Sequence, residues 1–197
     1  LGDATFRGNA AGRDGGAIHV SALDPALPIS QLVLYGILPD QPLGLFLNSA
    51  ARNGGAISAL GADGSFSRRS ARVCVRNINV ISNTALDGGA LRLTNAEYSD
   101  CTDLVLPPEA QQPCTPRRIC NRYEGNAIAV DGPGRSIVRA YNGKIDLHDA
   151  HLEQNVGGAH LFLLEDWFGH GSNATLVNSV IRGNQLTFPD SSLMMLG

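Results

Sequence analysis

The chain has 197 residues, of which 43% are hydrophobic and 17% are charged, with a formal net charge of −3 at pH 7. This composition supports a buried core in one domain and excludes a disordered chain. Because 15 Lys and Arg stand against 18 Asp and Glu, we expect no global positive field for nucleic acid, and the apolar runs are far shorter than the roughly 18 residues of a membrane-spanning helix.

Short alternating runs of apolar and polar residues dominate the chain, as in residues 72–81 and 144–152. Alternation with a period of two is typical of a strand with one buried face, whereas apolar stripes with helical spacing are scarce. The sequence also contains 23 glycines, which fall in short clusters between the apolar segments. We therefore predict an all-β chain built from repeated units.

An asparagine recurs along the chain, each time three residues after an apolar or aromatic residue. The six positions are Asn9, Asn48, Asn83, Asn126, Asn155 and Asn184. The first and the last are 175 residues apart, so the five intervals average 35 residues, within the range of stacked repeats. Stacked coils would place these amides above one another in a structural ladder, where they can form hydrogen bonds along the stack.

Corner signals lie between the predicted strands. Gly-Gly-Ala occupies residues 15–17, 54–56, 88–90 and 157–159, with degenerate versions at 132–134 and 191–193. Glycine permits the positive φ of a sharp corner. Asn77, Asp149 and Asn178 each lie six residues before a ladder asparagine. We predict bends at these three residues because Asn and Asp tolerate left-handed backbone angles.

A unit of two or three short strands cannot enclose a core alone, so successive units must stack. We predict one domain over residues 1–197, a parallel β-helix of five to six coils, with the right-handed winding of parallel crossovers. Residues 24–42 and 99–122 are predicted loop insertions, which commonly gather on one functional face. Because the chain begins at Leu1 without an initiator Met, we expect it to be a segment of a larger protein.

Two pairs of motifs carry a family resemblance. Residues 6–9, Phe-Arg-Gly-Asn, precede Gly-Gly-Ala-Ile at 15–18, and residues 80–83, Val-Ile-Ser-Asn, precede Gly-Gly-Ala-Leu at 88–91. This pattern resembles the repeat of the polymorphic outer membrane proteins of chlamydiae. The resemblance implies a right-handed β-helix of the pectin-lyase-like kind in a cell-surface or secreted protein that acts in adhesion.

The cysteines are Cys74, Cys101, Cys114 and Cys120, which allow three pairings if all are oxidised. Three of them flank or lie within the Pro-rich insertion at 99–122, which could not pack without staples. We favour Cys101 with Cys114 and Cys74 with Cys120, the alternative being reduced core thiols. Asn173 begins a glycosylation sequon that is usable only in a eukaryotic secretory pathway.

The residues most similar to an active site are Asp146, His148, Asp149, His151 and Glu153. A paired carboxylate and imidazole can perform acid–base chemistry or bind a metal, although a solvated outer face explains the same residues. Gly-His-Gly at 169–171 resembles a short polygalacturonase motif, and the other motifs of those enzymes are missing. Arginines and aromatics on predicted loops could contact a glycan or protein. They are Arg68, Arg69, Arg117, Arg118, Arg122, Trp167 and Phe168.

These observations favour a non-catalytic extracellular or cell-surface scaffold that binds protein or glycan through its loops. The alternatives are a polysaccharide lyase or glycoside hydrolase on the same fold, and a structural component of a filament or surface appendage. We expect no cofactor and no metal, no nucleic-acid partner, and neighbouring domains that stack on the ends of the helix.

Overall fold

The computed structural model describes residues 4–22, 24, 29–37, 42–62, 69–100, 105, 121–130, 132, 134–166, 171–188 and 192–196. This part of the chain forms 21 strands in four sheets and contains no helix. In keeping with this, no helix in the described residues is long and apolar enough to cross a membrane. The prediction of an all-β chain is confirmed.

The strands form four parallel sheets. Sheet 1 contains β1 (Thr5–Arg7), β5 (Leu43–Phe46), β9 (Ile78–Ile81), β13 (Asn121–Glu124), β17 (Ala150–Glu153) and β20 (Val180–Arg182). Sheet 2 contains β2 (Ala10–Ala11), β6 (Ser49–Asn53), β10 (Thr84–Asp87) and β14 (Ala127–Ile128). Sheet 3 contains β3 (Ile18–Ser21), β7 (Ile57–Leu60), β11 (Leu91–Thr94), β15 (Ser136–Tyr141), β18 (His160–Glu165) and β21 (Ser192–Leu196). Sheet 4 contains β4 (Ser30–Tyr35), β8 (Ala71–Arg76), β12 (Ala96–Ser99), β16 (Lys144–His148) and β19 (Asn173–Val177).

The chain visits sheets 1, 2, 3 and 4 in that order in every complete coil. Each strand pairs in parallel with the equivalent strands of the coils before and after it. The six strands of sheets 1 and 3 correspond to five complete coils and part of a sixth. The predicted parallel β-helix is therefore confirmed, and its right-handed winding stays a prediction.

Each of the first four coils has four strands rather than the predicted two or three. The additional strands belong to sheet 2, which forms immediately after the ladder asparagines, where the sequence pattern had indicated only a corner. In the last two coils this sheet is reduced to single bridges at Val156 and Gln185. These strands are short, at most five residues, so no extended alternation marks them in the sequence.

The core lies between the four sheets and consists of the inward-facing residue of every second position. One column runs from Leu45 through Val80 and Tyr123 to Leu152, which are paired in register and at most 1% exposed. Burial of each such side chain contributes on the order of 1.5–3 kcal/mol. The hydroxyls of Tyr98 and Tyr123 lie 2.7 Å apart inside this core and satisfy each other. The core is thus continuous along the helix axis.

The Gly-Gly pairs meet two separate requirements of the corner between sheets 2 and 3. The first glycine has a positive φ, as at Gly54 with 65° and Gly88 with 62°. The second glycine lies against the backbone of the next coil, and a Cβ atom at Gly55 would overlap the carbonyl oxygen of Gly89. A left-handed turn and a close backbone approach explain why both positions exclude a side chain.

The bends between sheets 4 and 1 follow the sequence prediction. Asn77, Asp149 and Asn178 have φ values of 53°, 51° and 51°. Asn95 and Asn142 play the same part between sheets 3 and 4, with φ values of 49° and 50°. The prediction of left-handed bends at the first three residues is confirmed.

Both predicted insertions have different bounds in the structure. The segment 24–42 is not one loop, because it contains strand β4, whose Leu34 is fully buried in the core. The segment 99–122 is shortened to residues 100–120, because Ser99 ends β12 and Asn121 begins β13. In the first segment the apolar alternation of β4 supplies the strand of sheet 4 that pairs with β8.

Cys74 is 2% exposed and is disulfide-bonded. Cys101, Cys114 and Cys120 lie outside the described residues. The preferred pairings, Cys101 with Cys114 and Cys74 with Cys120, therefore stay predictions.

Candidate interaction face on sheet 4

The structure places all six repeat asparagines in one column at the corner between sheets 1 and 2. The amide nitrogen of Asn48 donates to the Oδ1 of Asn83 at 2.9 Å, and that of Asn83 donates to the Oδ1 of Asn126 at 3.0 Å. The same bond continues to Asn155 at 3.0 Å and from there to Asn184 at 2.8 Å.

The second amide hydrogen of these asparagines also has a partner. The Nδ2 of Asn83 donates to the carbonyl of Leu45, and that of Asn126 to the carbonyl of Val80, both at 2.9 Å. The inner members of the column, Asn83 and Asn126 among them, are fully buried. Their hydrogen-bonding capacity is used within the fold, so this column is structural and offers no ligand site.

Sheet 4 is bordered by most of the long connections, and one further connection of seven residues, 129–135, joins sheet 2 to sheet 3. Connections 22–29, 61–70 and 166–172 enter it from sheet 3, and connections 36–42 and 100–120 leave it toward sheet 1. By contrast, every connection from sheet 1 to sheet 2 has two residues before the next strand or bridge. Since binding residues concentrate on loops held by a rigid scaffold, the outer face of sheet 4 is the candidate interaction face.

The outer face of sheet 4 carries a line of alternating charges. Arg72, Glu97 and Lys144 are direct neighbours in successive strands β8, β12 and β16. The Oε1 of Glu97 lies 3.8 Å from the Nε of Arg72 and 3.5 Å from the Nζ of Lys144. Lys144 also lies 3.6 Å from the Oδ2 of Asp146 two residues along its own strand. These partly exposed pairs present both charge signs to a polar ligand.

A buried carboxylate holds the imidazole of His148 at one end of this line. The Oδ2 of Asp100 accepts a hydrogen bond from the backbone N–H of His148 at 2.8 Å and lies 3.0 Å from its Nδ1. Asp100 is only 7% exposed, and its other oxygen, Oδ1, is buried without a hydrogen-bond partner among the described residues. Burial raises the pKa of the Asp100 carboxyl above its usual value, and the hydrogen bonds and charge of His148 act against that shift.

The opposite nitrogen of His148 faces the accessible side of the cluster. The side chain is 38% exposed, and its Nε2 lies 4.0 Å from the Oδ1 of Asp146. A carboxylate that fixes one imidazole nitrogen leaves the other free to exchange protons or to bond a ligand. The arrangement can therefore serve polar recognition or acid–base chemistry. No group of three or more His, Cys, Asp or Glu side chains within the described ranges is arranged to hold a metal ion.

The predicted five-residue cluster is divided between two sheets. Asp146 and His148 lie on sheet 4, whereas His151 and Glu153 lie on sheet 1, because the chain turns at the left-handed bend of Asp149. The grouping of all five as one site was wrong.

A separate ion cluster lies on sheet 1. The Oε1 of Glu153 lies 2.8 Å from the Nδ1 of His151 and 3.1 Å from the Nε of Arg182. Burial raises the pKa of Glu153, but the hydrogen bonds from these two partners outweigh burial, so its pKa is lowered. Arg122, predicted to lie on a loop, is in strand β13 and pairs with Glu124 at 2.6 Å. The charges of Glu153 and of Arg122 are thus both paired with residues of sheet 1.

Of the remaining candidates predicted from the sequence, two lie within the described residues, Asn173 and Arg69. Asn173 is exposed at the start of β19 on sheet 4, where it pairs in register with Lys144. Arg69 donates to the carbonyl of Gly171 at 2.9 Å, which joins two connections that enter sheet 4. Six other candidates lie outside the described residues. They are Arg68, Arg117, Arg118, Trp167, Phe168 and His170.

Sequence reasoning missed Asp100, although it is the residue that orients His148. The two residues are separated by 48 positions and lie in successive coils. The signal that could have revealed the pairing is the strand register, which sets Ser99 beside Asp146 and so brings the next residue close to His148.

Residues 3–21 match the Chlamydia polymorphic membrane protein repeat. The matched segment contains β1, β2 and β3 with the first ladder asparagine and the first Gly-Gly pair. The resemblance stated from the sequence is thereby confirmed for this first coil, and it places the repeat in a family of surface proteins. No curated protein and no solved structure matches the chain significantly.

Proposed function

We propose that this chain is a non-catalytic β-helical segment of a cell-surface protein and acts as an adhesion module. Its ligand, a glycan or a protein, binds across the outer face of sheet 4 and the connections that border it. The observation that carries the proposal is the coincidence of two features on one sheet: the long connections and the line of charges from Arg72 to Asp146.

The physical chemistry of this face suits reversible binding. The side chains of these ion pairs are 20–33% exposed and their N–O distances are 3.5–3.8 Å, so each pair contributes little to folding, about 0–1 kcal/mol. Their charges remain available to hydroxyl, carboxylate or amine groups of a ligand. The surface-protein family of the repeat at residues 3–21 is consistent with an extracellular location.

The test is binding of the chain to a glycan array and to immobilised matrix proteins. We expect the double variant Glu97→Gln, Lys144→Gln to lose at least tenfold in affinity for the ligand that the parent chain selects. The matched control is Arg122→Gln, Glu124→Gln, which removes an ion pair from sheet 1 instead. Equal binding by both double variants and the parent would contradict the assignment to sheet 4.

A second candidate function is glycan cleavage, and the buried Asp100 beside His148 is the observation that favours it. In this hypothesis Asp100 orients the imidazole and the free Nε2 exchanges a proton with the substrate. The test is incubation with pectic and other acidic polysaccharides, with and without Ca²⁺. Cleavage that disappears in His148→Gln and in Asp146→Asn would replace the adhesion proposal with an enzymatic one.

A further inference from the structure

The outer face of sheet 1 contains an apolar pocket that the adhesion proposal does not use. It has a volume of about 370 Å³, within the usual range of ligand pockets. Its lining residues come from the first three coils and are Arg7, Phe46, Leu47, Ile81 and Ser82. Arg7, Phe46 and Ile81 are direct neighbours in the strands β1, β5 and β9. The pocket therefore runs along the helix axis across three strands.

Gly44 makes room for the aromatic wall of this pocket. Gly44 and Phe46 lie two residues apart on the outer side of β5, whereas Leu43 and Leu45 are buried in the core. A Cβ atom at Gly44 would overlap the ring of Phe46. The ring thus lies down on the strand over the glycine, and one of its faces is available to a ligand.

Leu47 forms a second wall at an energetically unfavourable place. Its φ is 55°, a left-handed value that a branched apolar side chain rarely adopts. The equivalent corner residues of other coils include glycines, such as Gly8, Gly125 and Gly183. Leu47 is nevertheless 53% exposed, so burial in the core does not compensate for this conformation. A strained and exposed apolar residue beside a pocket points to a role in binding.

Arg7 supplies the pocket with a positive charge. No ion pair of Arg7 is found within the described residues, in contrast to Arg122 and Arg182 on the same sheet. The only other polar side chain of the lining belongs to Ser82. Three apolar walls with one cation fit an apolar group next to a carboxylate, whereas a sugar ring would require more hydrogen-bonding partners than two.

We infer that this pocket binds a segment of a partner protein that presents an aromatic or large aliphatic side chain beside a carboxylate. The side chain lies against the ring of Phe46 and the side chain of Leu47. The carboxylate forms a charge-assisted hydrogen bond with Arg7. This site is separate from the face on sheet 4, and it does not rest on the adhesion proposal.

The experiment uses N-acetylphenylalanine as the probe and isotope-labelled isoleucine methyl groups as the NMR readout. We expect the Ile81 methyl resonances to shift on titration, with a Kd on the order of 1 mM for so small a ligand. N-acetylphenylalaninamide, which lacks the carboxylate, should bind about tenfold more weakly. Equal affinity for the acid and the amide would overturn the role of Arg7.

Three variants make the assignment specific. Arg7→Gln should reduce the affinity for the acid to that for the amide, and Phe46→Ala should abolish the Ile81 shifts. Leu47→Gly should weaken binding severalfold, whereas Gln154→Gly, the same backbone change at the equivalent corner of a distant coil, should leave binding unchanged. Because Arg7 is exposed, Arg7→Gln should fold normally. It therefore keeps the test decisive even if Phe46→Ala fails to fold. Methyl glucoside binding in place of N-acetylphenylalanine would overturn the proposal.

Discussion

Replacement of one buried ladder asparagine tests how the coils are held in register. In Asn126→Ala the Oδ1 atom that accepts hydrogen bonds from the backbone N–H and the Nδ2 of Asn83, both at 3.0 Å, is removed. The same change removes the amide hydrogens that reach Asn155 and the carbonyl of Val80. Because Asn83 and Asn126 are both fully buried, water does not replace these partners.

The size of the stability loss in Asn126→Ala follows from the number of buried groups that lose a hydrogen-bond partner. Two buried donors on Asn83 become unsatisfied, and each costs about 1–3 kcal/mol. The Nδ2 of Asn83 keeps a hydrogen bond to the carbonyl of Ile81, two residues earlier in the same coil, at 3.2 Å, and this bond offsets part of the loss. We therefore expect Asn126→Ala to lower the free energy of unfolding by roughly 2–5 kcal/mol, a large share of the 5–15 kcal/mol typical of a domain.

Urea denaturation followed by circular dichroism measures this difference, and Asn184→Ala is the matched control. Asn184 also accepts two bonds, from the N and Nδ2 of Asn155 at 3.0 and 2.8 Å, but it is only half-buried in the last described coil. Asn155 is itself buried, but its partner Asn184 is partly exposed, so water can enter the space left by Asn184→Ala and satisfy Asn155, and we expect a loss of about 1 kcal/mol. Equal losses in the two variants would refute the argument that burial, rather than the number of bonds, makes the ladder effective.

Three further predictions concern strain, pH and a buried pair. Leu47→Gly and Gln154→Gly should each raise the free energy of unfolding by about 0.5–1 kcal/mol, measured in urea, because both residues have positive φ values, 55° and 52°. Glu153 has a lowered pKa in the folded chain, so its contribution is present above its unfolded pKa and is lost as the pH falls through the folded pKa. The stability difference between the parent and Glu153→Gln should therefore shrink in titrations from about pH 5 downward. Tyr98→Phe and Tyr123→Phe should each cost about 1–3 kcal/mol, since each leaves the other buried hydroxyl without its partner; the double variant should cost less than the sum, and additivity in this double-mutant cycle would contradict the pairing.

The parts of the fold that could be predicted are those in which one residue type has one physical task in every coil. Asn at the ladder and Gly at the tight corners recur because the same hydrogen bond and the same close approach recur. Strand β4, Ser30–Tyr35, was missed because Pro25 and Pro28 immediately precede it and gave the segment the composition of a loop. Its role follows only from register with β8.

The candidate sites were harder to predict because they join residues from different coils. The ladder intervals range from 29 to 43 residues, so no fixed spacing indicates which outward residues become neighbours. Asp100 and His148 meet across 48 residues. The pocket of Phe46 and Leu47 additionally requires that the ring lie over Gly44, which depends on the absence of one side chain.

The division between inward and outward residues explains where functional information lies in this chain. Inward residues and corner asparagines must repeat, because each coil packs on the next, and they are therefore similar from coil to coil. Outward positions of one column are free to differ, and on sheet 1 the sequence changes from Arg7 to Phe46, Ile81 and then Glu124. Stacking does not explain an outward residue with a strained backbone, such as Leu47 with its positive φ. Nor does it explain an outward residue that is held by a buried partner, such as His148. These departures from the repeat are the residues where binding should be sought first.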